Sequence, residues 1–324
     1  MRGFKAFNIF QPLFAFKKTE ITRFLLKVPI NLFVSRDIWD GKMAKNNLIG
    51  FLLSLDLVKS CWERNKSMTN IGVGCSLEEF KDKNIYKNFS LINIENPLYP
   101  GYLEKFNKED IVLINKLTEY SYIVDGAYID LNPGTSEPKI RKITKITKEK
   151  VIQSIDFAKR INAEEIIFLS TYIPFINVEF YEQGWLESSK IFWKEILKEE
   201  STIKISLCNT FEFNPDYLIN IVENIDKDNF GLAFDIGHAL LWGKISILSW
   251  YKRIEKYLNT IYLHSNDGKG DLHISFKKGL LKEKNNEFRK ILELAQKRNI
   301  NLILKYYDKS SVLKDKQILK KLLA

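Results

Sequence analysis

Short apolar, β-branched runs alternate with amphipathic helical segments over most of this chain, from Met68 onward. Eight of these runs have the length and composition of buried strands. They are residues 69–75, 91–95, 121–128, 164–170, 203–208, 231–235, 260–264 and 301–307. Strands that alternate with helices indicate βαβ units and a parallel sheet. Eight such units within residues 68–324 predict an α/β fold of the (β/α)8 TIM-barrel type.

Helical patterns follow the later strand-like runs at the spacing that this architecture needs. They cover residues 148–162, 188–200, 214–225, 245–258, 286–299 and 311–323. Residues 1–67 do not share the alternation, although they contain a helix-like segment. We therefore divide the chain into an N-terminal extension of unknown role, residues 1–67, and a barrel, residues 68–324.

Composition limits the classes of protein to which the chain can belong. Hydrophobic residues make up 45% of it, yet no apolar run approaches the roughly 20 residues of a membrane span. The N-terminus is basic and apolar, but Gln11 and Pro12 interrupt the apolar part and no cleavage site follows, which argues against a signal peptide. Three cysteines without paired spacing indicate a reducing compartment, so we expect a cytoplasmic protein.

The positive charge of the chain is concentrated near its start. The net charge is +10, but residues 1–67 hold 12 Lys and Arg against 5 Asp and Glu, whereas the remainder holds 38 against 35. The Lys-rich stretch at 139–150 is typical of a solvated loop and helix start. Because duplex binding needs many phosphate contacts, we expect no specific nucleic-acid partner for the barrel.

All three histidines of the chain lie in one short region rich in aspartate and asparagine. The predicted sixth strand ends at Asp235 with His238 just beyond it, and the predicted seventh strand ends at His264. Asp271 and His273 follow in the next loop, two residues apart, so an extended backbone would point both side chains the same way. Because the chemistry of a TIM barrel lies at the carboxyl ends of its strands, these five residues are expected to converge. Histidine with aspartate suggests a metal site or an acid–base site.

Six segments of the chain, in order, resemble motifs of a known superfamily. They are AYIDLNPG, FLSTYIP, WLESSKIFWKEIL, LCNTFE, FDIGHA and LHSNDGKGDLH. Together they are similar to the xylose-isomerase-like TIM barrels, chiefly the sugar phosphate isomerase/epimerase family and more distantly the type-IV AP endonucleases. The resemblance implies divalent metal at the barrel mouth, held by His, Asp and Glu side chains.

The ligand positions of that superfamily are only partly kept. The matching residues are Asp235, His238, His264, Asp271 and His273. Four positions depart: Asp125 and Leu169 replace histidines, and Cys208 and Lys305 replace glutamates. Leucine cannot ligate and an ammonium repels a dication, whereas a cysteine thiolate can bind zinc, which keeps Cys208 as a possible ligand. The resemblance thus implies at most one divalent ion, zinc before manganese or magnesium, held by His238, Asp271 and His273 with water.

Three functions fit these residues. The first is a divergent isomerase or epimerase of a small sugar or sugar phosphate, with Lys305 as the catalytic proton carrier if burial lowers its pKa. A rival role for Lys305 is an ion pair with Asp235 that replaces metal. The second function is an inactive or ligand-binding barrel that has lost the family's metal centre, and the third is a metal-dependent phosphoester hydrolase related to the AP endonucleases. We expect a small-molecule partner and no membrane, and the oligomeric state stays open.

We predict that the extension is dispensable for folding of the barrel, because it lies outside the βα alternation and has its own charge balance. A shortened chain beginning at Met68 should unfold cooperatively within a few degrees of the full chain in a calorimetric scan. Aggregation of the shortened chain, or a broad transition without cooperativity, would contradict this division.

Overall fold

Eight parallel strands form a closed barrel in the computed structural model of the protein, in the order β1 to β8 with β8 paired to β1. The structure describes residues 69–81, 83–104, 108–134, 141–176, 178, 180–200 and 202–324, so the extension lies outside the described residues. The strands are β1 Ile71–Cys75, β2 Leu91–Ile94, β3 Ser121–Asp125, β4 Glu165–Leu169, β5 Lys204–Cys208, β6 Phe230–Asp235, β7 Leu258–Leu263 and β8 Asn301–Leu304. All eight predicted strands are confirmed, and the architecture is that of a TIM barrel.

Helices connect the strands and cover the outside of the barrel. They are α1 Leu77–Lys81, α2 Lys83–Tyr86, α3 Pro100–Glu104, α4 Lys108–Lys116, α5 Arg141–Arg160, α6 Tyr181–Glu199, α7 Asp216–Ile225, α8 Ile236–Trp242, α9 Ile247–Ile254, α10 Gly279–Glu283, α11 Asn285–Lys297 and α12 Val312–Leu322. Among the described residues, no helix is long and apolar enough to cross a membrane. Each of the six predicted helical regions overlaps one observed helix, and these helices are α5, α6, α7, α9, α11 and α12.

Helix α8 follows β6 without a loop, and the sequence patterns did not predict it. The Asp235 carboxylate accepts a hydrogen bond from the backbone N–H of His238 at 2.8 Å, so the last residue of β6 caps the helix. With seven residues and a glycine in its first turn, α8 is too short for a helical period to show in the sequence. His238 therefore lies on a helix, rather than in a loop.

The barrel has two apolar layers. Inside it, side chains from its strands form one small cluster, which consists of Leu91, Ile123, Ile167, Cys208, Ala233, Tyr262 and Ile303. The other side chains of the strands face the helices in a much larger core, where Trp185, Phe192 and Trp193 of α6 are buried as packing residues. A filled interior leaves the carboxyl ends of the strands as the place where polar side chains can gather.

Glu200, at the carboxyl end of α6, ties that helix to α5. Its carboxylate accepts hydrogen bonds from Lys159 Nζ at 2.8 Å and from Thr202 N and Oγ1 at 2.7 and 2.6 Å. Burial raises the pKa of Glu200, but the bonds from Lys159 and Thr202 outweigh burial and lower the pKa to about 2. The ionised carboxylate therefore stabilises the fold above its ordinary pKa of 4.5, and this stabilisation is lost as the pH falls towards 2.

We predict that Glu200→Gln lowers the free energy of unfolding by about 1–2 kcal/mol at pH 7, because the charged acceptor is lost while Lys159 keeps much of its hydration. The difference from the natural protein should shrink at pH 3. Urea unfolding at both pH values measures it, and Glu199→Gln, at the exposed neighbour, serves as the matched control. An equal effect of the two substitutions would show that the buried ion pair has no special role.

Candidate functional site

Asn209, just after β5, orients the start of α8. Its side chain pairs with the backbone of Asp235 in both directions, accepting from the N–H at 2.8 Å and donating to the carbonyl at 2.9 Å. Its own backbone carbonyl lies 2.9 Å from Nδ1 of His238. Since a carbonyl can only accept, Nδ1 of His238 carries a proton and Nε2 is turned towards the barrel mouth.

Asn266 organises the loop that follows β7. Its side chain is fully buried, accepts from the backbone N–H of Leu272 at 2.7 Å and of His273 at 3.3 Å, and donates to the carbonyl of Gly237 at 2.9 Å. His273 has a left-handed backbone, with φ of 45°. The predicted convergence of Asp271 and His273 is thus present, but a turn held by Asn266 produces it and not an extended backbone.

Two imidazole rings approach the same carboxylate oxygen. Oδ2 of Asp271 lies 3.2 Å from Nε2 of His238 and 3.2 Å from Nε2 of His273. Nδ1 of His273 lies 2.9 Å from the backbone carbonyl of Lys305, so this ring too is fixed with its Nε2 towards Asp271. Together with His264, these side chains form what we call the histidine group. Its members, His238, His264, Asp271 and His273, offer four ligand atoms that lie within 4.8 Å of one another.

His264 is fully buried and lies flat against His273, with ring centroids 3.7 Å apart and 5° between the planes. Nε2 of His264 is 2.7 Å from Oδ1 of Asp235, yet neither ring nitrogen has a hydrogen bond of acceptable alignment. The ring occupies the space beside Gly237, where an added Cβ would lie only 2.0 Å from its Cε1. The first turn of α8 therefore needs glycine in order to accept the imidazole.

Two aspartates determine the electrostatics of the three rings. Burial raises the pKa of Asp235 and of Asp271, but the neighbouring histidines outweigh it and hold both pKa values well below their usual range. Burial lowers the pKa of His238, but Asp235 and Asp271 raise it to about 9. Burial dominates at His264 and lowers its pKa. The raised pKa favours the protonated His238 ring, whose Nε2–H can donate to Asp271.

Lys305 forms a separate polar group across the mouth. Its Nζ donates to Oδ2 of Asp125, and it lies 3.4 Å from Oδ1 of Asn93 and 3.6 Å from Oε1 of Glu95. The predicted ion pair of Lys305 with Asp235 is therefore wrong, because Asp125 is the partner. Burial alone lowers the pKa of Lys305, but the charges of Asp125 and Glu95 raise it above its usual value, so the expectation of a lowered pKa is wrong as well.

Three other positions considered from the sequence are not part of the histidine group. Cys208 is fully buried in the inner apolar cluster, and burial raises the pKa of its thiol well above the usual value. Leu169 packs against the same cluster. Asp235 contacts the His264 ring and accepts a hydrogen bond from the backbone N–H of His238. It therefore supports the rings and is not one of the four converging groups.

Sequence reasoning missed several residues on which the site depends. Asn209 holds His238 through its backbone carbonyl, and its place just after a strand was the only signal it gave. Asn266, by contrast, is recognisable from the sequence as a turn residue that could support the ligands, and it accepts from the backbone N–H of His273. Glu212, after β5, is buried, accepts from Ser170 Oγ and from Thr210 N at 2.6 Å, and burial raises its pKa. No local pattern distinguishes this carboxyl group from an exposed loop glutamate.

The donor set fits a divalent cation. Two Nε2 atoms and a carboxylate oxygen face one another, and both rings are anchored through Nδ1 to carbonyls, which is the usual support of a metal-binding histidine. The His264 ring lies beside these atoms, and neither of its buried nitrogens has a well-aligned hydrogen-bond partner. Imidazole and carboxylate together suit zinc, and an ion at this point would replace the proton between His238 and Asp271.

We predict that Gly237→Ala lowers the free energy of unfolding by about 1–3 kcal/mol and displaces the His264 ring, because the new methyl group overlaps that ring. Urea unfolding measures the loss, and the His264 imidazole signals in NMR spectra report the displacement. Gly101→Ala is the matched control, since its added Cβ would meet nothing within 4 Å. A Gly237 variant as stable as the Gly101 variant would contradict the packing described.

Comparisons with known proteins agree with this fold. The family model described as xylose isomerase-like TIM barrel matches residues 113–323. An uncharacterized protein of Methanocaldococcus jannaschii is 27% identical over 238 residues, which are 68% of this chain and 76% of that protein. The crystal structure of a D-tagatose 3-epimerase-like protein has a TM-score of 0.66 and 25% identity, and the match covers 78% of this chain and 97% of that one.

A further structure shares the fold at lower identity. It is a protein of Thermus thermophilus whose crystal was soaked with ZnCl2, with a TM-score of 0.62, 17% identity and coverage of 78% of this chain and 97% of that one. The family model covers most of the barrel, including β3 to β8 and every residue of the histidine group. The chain belongs to the xylose isomerase-like TIM barrel family.

Proposed function

We propose that this barrel binds one divalent cation through His238, Asp271 and His273 and acts as an isomerase or epimerase on a small sugar or sugar phosphate. The observation that carries the proposal is the approach of two anchored imidazole Nε2 atoms to the same oxygen of Asp271. The name of the D-tagatose 3-epimerase-like protein supports a sugar as the substrate class.

Each residue of the site has a task in this proposal. His238, Asp271 and His273 hold the cation, which when bound acts as a Lewis acid towards a sugar oxygen. Asp235 keeps the His264 and His238 rings in place. Lys305 takes part as a charged hydrogen-bond donor and not as a base, because Asp125 and Glu95 favour its protonated form.

The second candidate is a barrel that binds a ligand without catalysis. The observation in its favour is that Lys305 and Asn93 both donate hydrogen bonds to Asp125 on one side of the mouth. A residue so engaged must break an existing bond before it can act on a substrate. Turnover separates the two candidates.

We predict a stoichiometry of at most one tightly held zinc ion per chain after dialysis against Zn²⁺. Asp271→Asn should weaken binding at least about tenfold, because it removes the charge that faces both histidines, and His273→Ala should abolish it. Lys305→Ala should not weaken binding, since it removes a repulsive charge. Elemental analysis and competition with a chromogenic chelator provide the measurements.

Asp267→Asn is the matched control for Asp271→Asn. It lies in the same loop, and its Oδ1 accepts from the backbone of Lys269 at 2.8 Å and of Gly270 at 3.1 Å, bonds that an asparagine can keep. It should leave the zinc affinity unchanged. Two or more tightly held ions, or zinc retained by the His273 variant, would show that the ligands are assigned wrongly.

Activity is tested by solvent exchange. The zinc-loaded and manganese-loaded proteins are incubated in D₂O with free ketohexoses and ketopentoses and with their phosphates, and the products are examined by NMR. Deuterium incorporated next to the carbonyl carbon, and absent with Asp271→Asn, is the expected result. Full metal loading without exchange in any of these sugars would favour the non-catalytic barrel.

A further inference from the structure

Four aromatic side chains form a continuous group beside the mouth, which we call the aromatic wall: Phe175, Phe211, Phe213 and Trp242. The ring centroids of Phe175 and Phe213 are 5.4 Å apart, those of Phe175 and Trp242 are 5.7 Å apart, and those of Phe211 and Trp242 are 5.6 Å apart. The contributing segments are the loop after β4, the loop after β5 and α8. All three begin at the carboxyl ends of strands, so the wall belongs to the mouth side of the barrel.

The wall is joined to the histidine group through α8. His238 and Trp242 are four residues apart on that helix, so they lie on the same face about one turn from each other. His238 is turned towards Asp271 on this face. The wall therefore begins about one helical turn along α8 from the histidine that faces Asp271, and Phe175 contacts Trp242 at that point.

The outer part of the wall is exposed to solvent. Phe175 is 57% exposed, and Ile173 of the same loop is 39% exposed. An exposed aromatic ring that packs on half-buried rings next to a polar site is typical of a binding surface, because leaving it in water is unfavourable. Isolated exposed hydrophobic residues need no such explanation, but these rings contact one another.

The chemistry of the wall is apolar. The Lys244 ammonium lies 3.6 Å from the centroid of the Phe213 ring, so this neighbouring cation is engaged by an aromatic face. The wall itself offers π-faces and edges. It thus suits an alkyl or aryl group better than a phosphate.

We propose that the substrate is a keto sugar that carries an alkyl or aryl substituent away from its carbonyl group, with its sugar at the histidine group and its substituent on the aromatic wall. This rests on the proposed function for the position of the sugar. It adds to the sugar of the proposed function an apolar group for which the wall provides a surface. The substituent would cover Phe175 and Trp242 from solvent.

The test compares binding of octyl β-D-glucoside and methyl β-D-glucoside, which have no carbonyl group and serve as unreactive probes of the wall, with the octyl compound kept below its micelle concentration. Titration of the full-length zinc-loaded protein, followed by calorimetry, gives both dissociation constants. We expect the octyl compound to bind at least about tenfold more tightly, because the longer alkyl chain can contact the wall. Phe175→Ser should reduce this preference to about threefold or less.

Ile191→Ser is the matched control, since Ile191 is 60% exposed on α6, away from the mouth loops. It should keep the full preference. Equal affinity for the two glucosides in the natural protein, or equal loss of preference in both variants, overturns the proposal. A concentration-dependent dimer in sedimentation experiments that Phe175→Ser dissociates also overturns it, because the wall would then be covered by a second copy.

A parallel titration of His273→Ala separates this inference from the proposed function. The variant should bind no zinc yet keep the octyl preference, because the wall is intact. If the natural protein binds no zinc but prefers the octyl compound, the proposed function fails and the aromatic wall stands. If it binds zinc and shows no preference, the inference fails and the proposed function stands.

Discussion

The pairing of β8 with β1 closes the sheet, and the position of every functional side chain depends on this closure. Ile71 aligns with Leu302 and Val73 with Leu304, so the last strand joins the first and no edge remains in the described barrel. In a closed parallel barrel all carboxyl ends lie at one rim. Segments that are far apart in the chain, such as the ends of β3 and β8, thereby come into hydrogen-bonding contact through Asp125 and Lys305.

The fold could be predicted from the sequence because its pattern is repetitive and each strand is buried on both faces. All eight strand-like runs are strands in the structure, whereas α8 and the short helices of the first units were not predicted. The histidine group could also be located, because its members follow β6 and β7, which are neighbours in the barrel. The order of strands alone brings those segments together.

The partners of individual side chains could not be predicted in the same way. Lys305 pairs with Asp125, 180 residues away, and not with Asp235, because the choice depends on the direction in which each side chain leaves the rim. Cys208 and Asn209 are adjacent, yet one faces the apolar interior and the other holds α8. Period-two alternation gives opposite faces, but sequence alone does not say which residue of the pair faces the mouth.

The two sides of the mouth differ in how fully their carboxylates are engaged. Asp125 accepts from Tyr262 OH at 2.5 Å, from Asn93 Nδ2 at 3.0 Å and from Lys305 Nζ, so its oxygens already have three donors. Asp271 faces two imidazole nitrogens, both of an atom type that can ligate a metal. A dication is therefore favoured at Asp271 and opposed at Asp125. The aromatic wall adjoins the first side through α8, so the same helix connects the cation site to the surface proposed to bind the apolar part of the substrate.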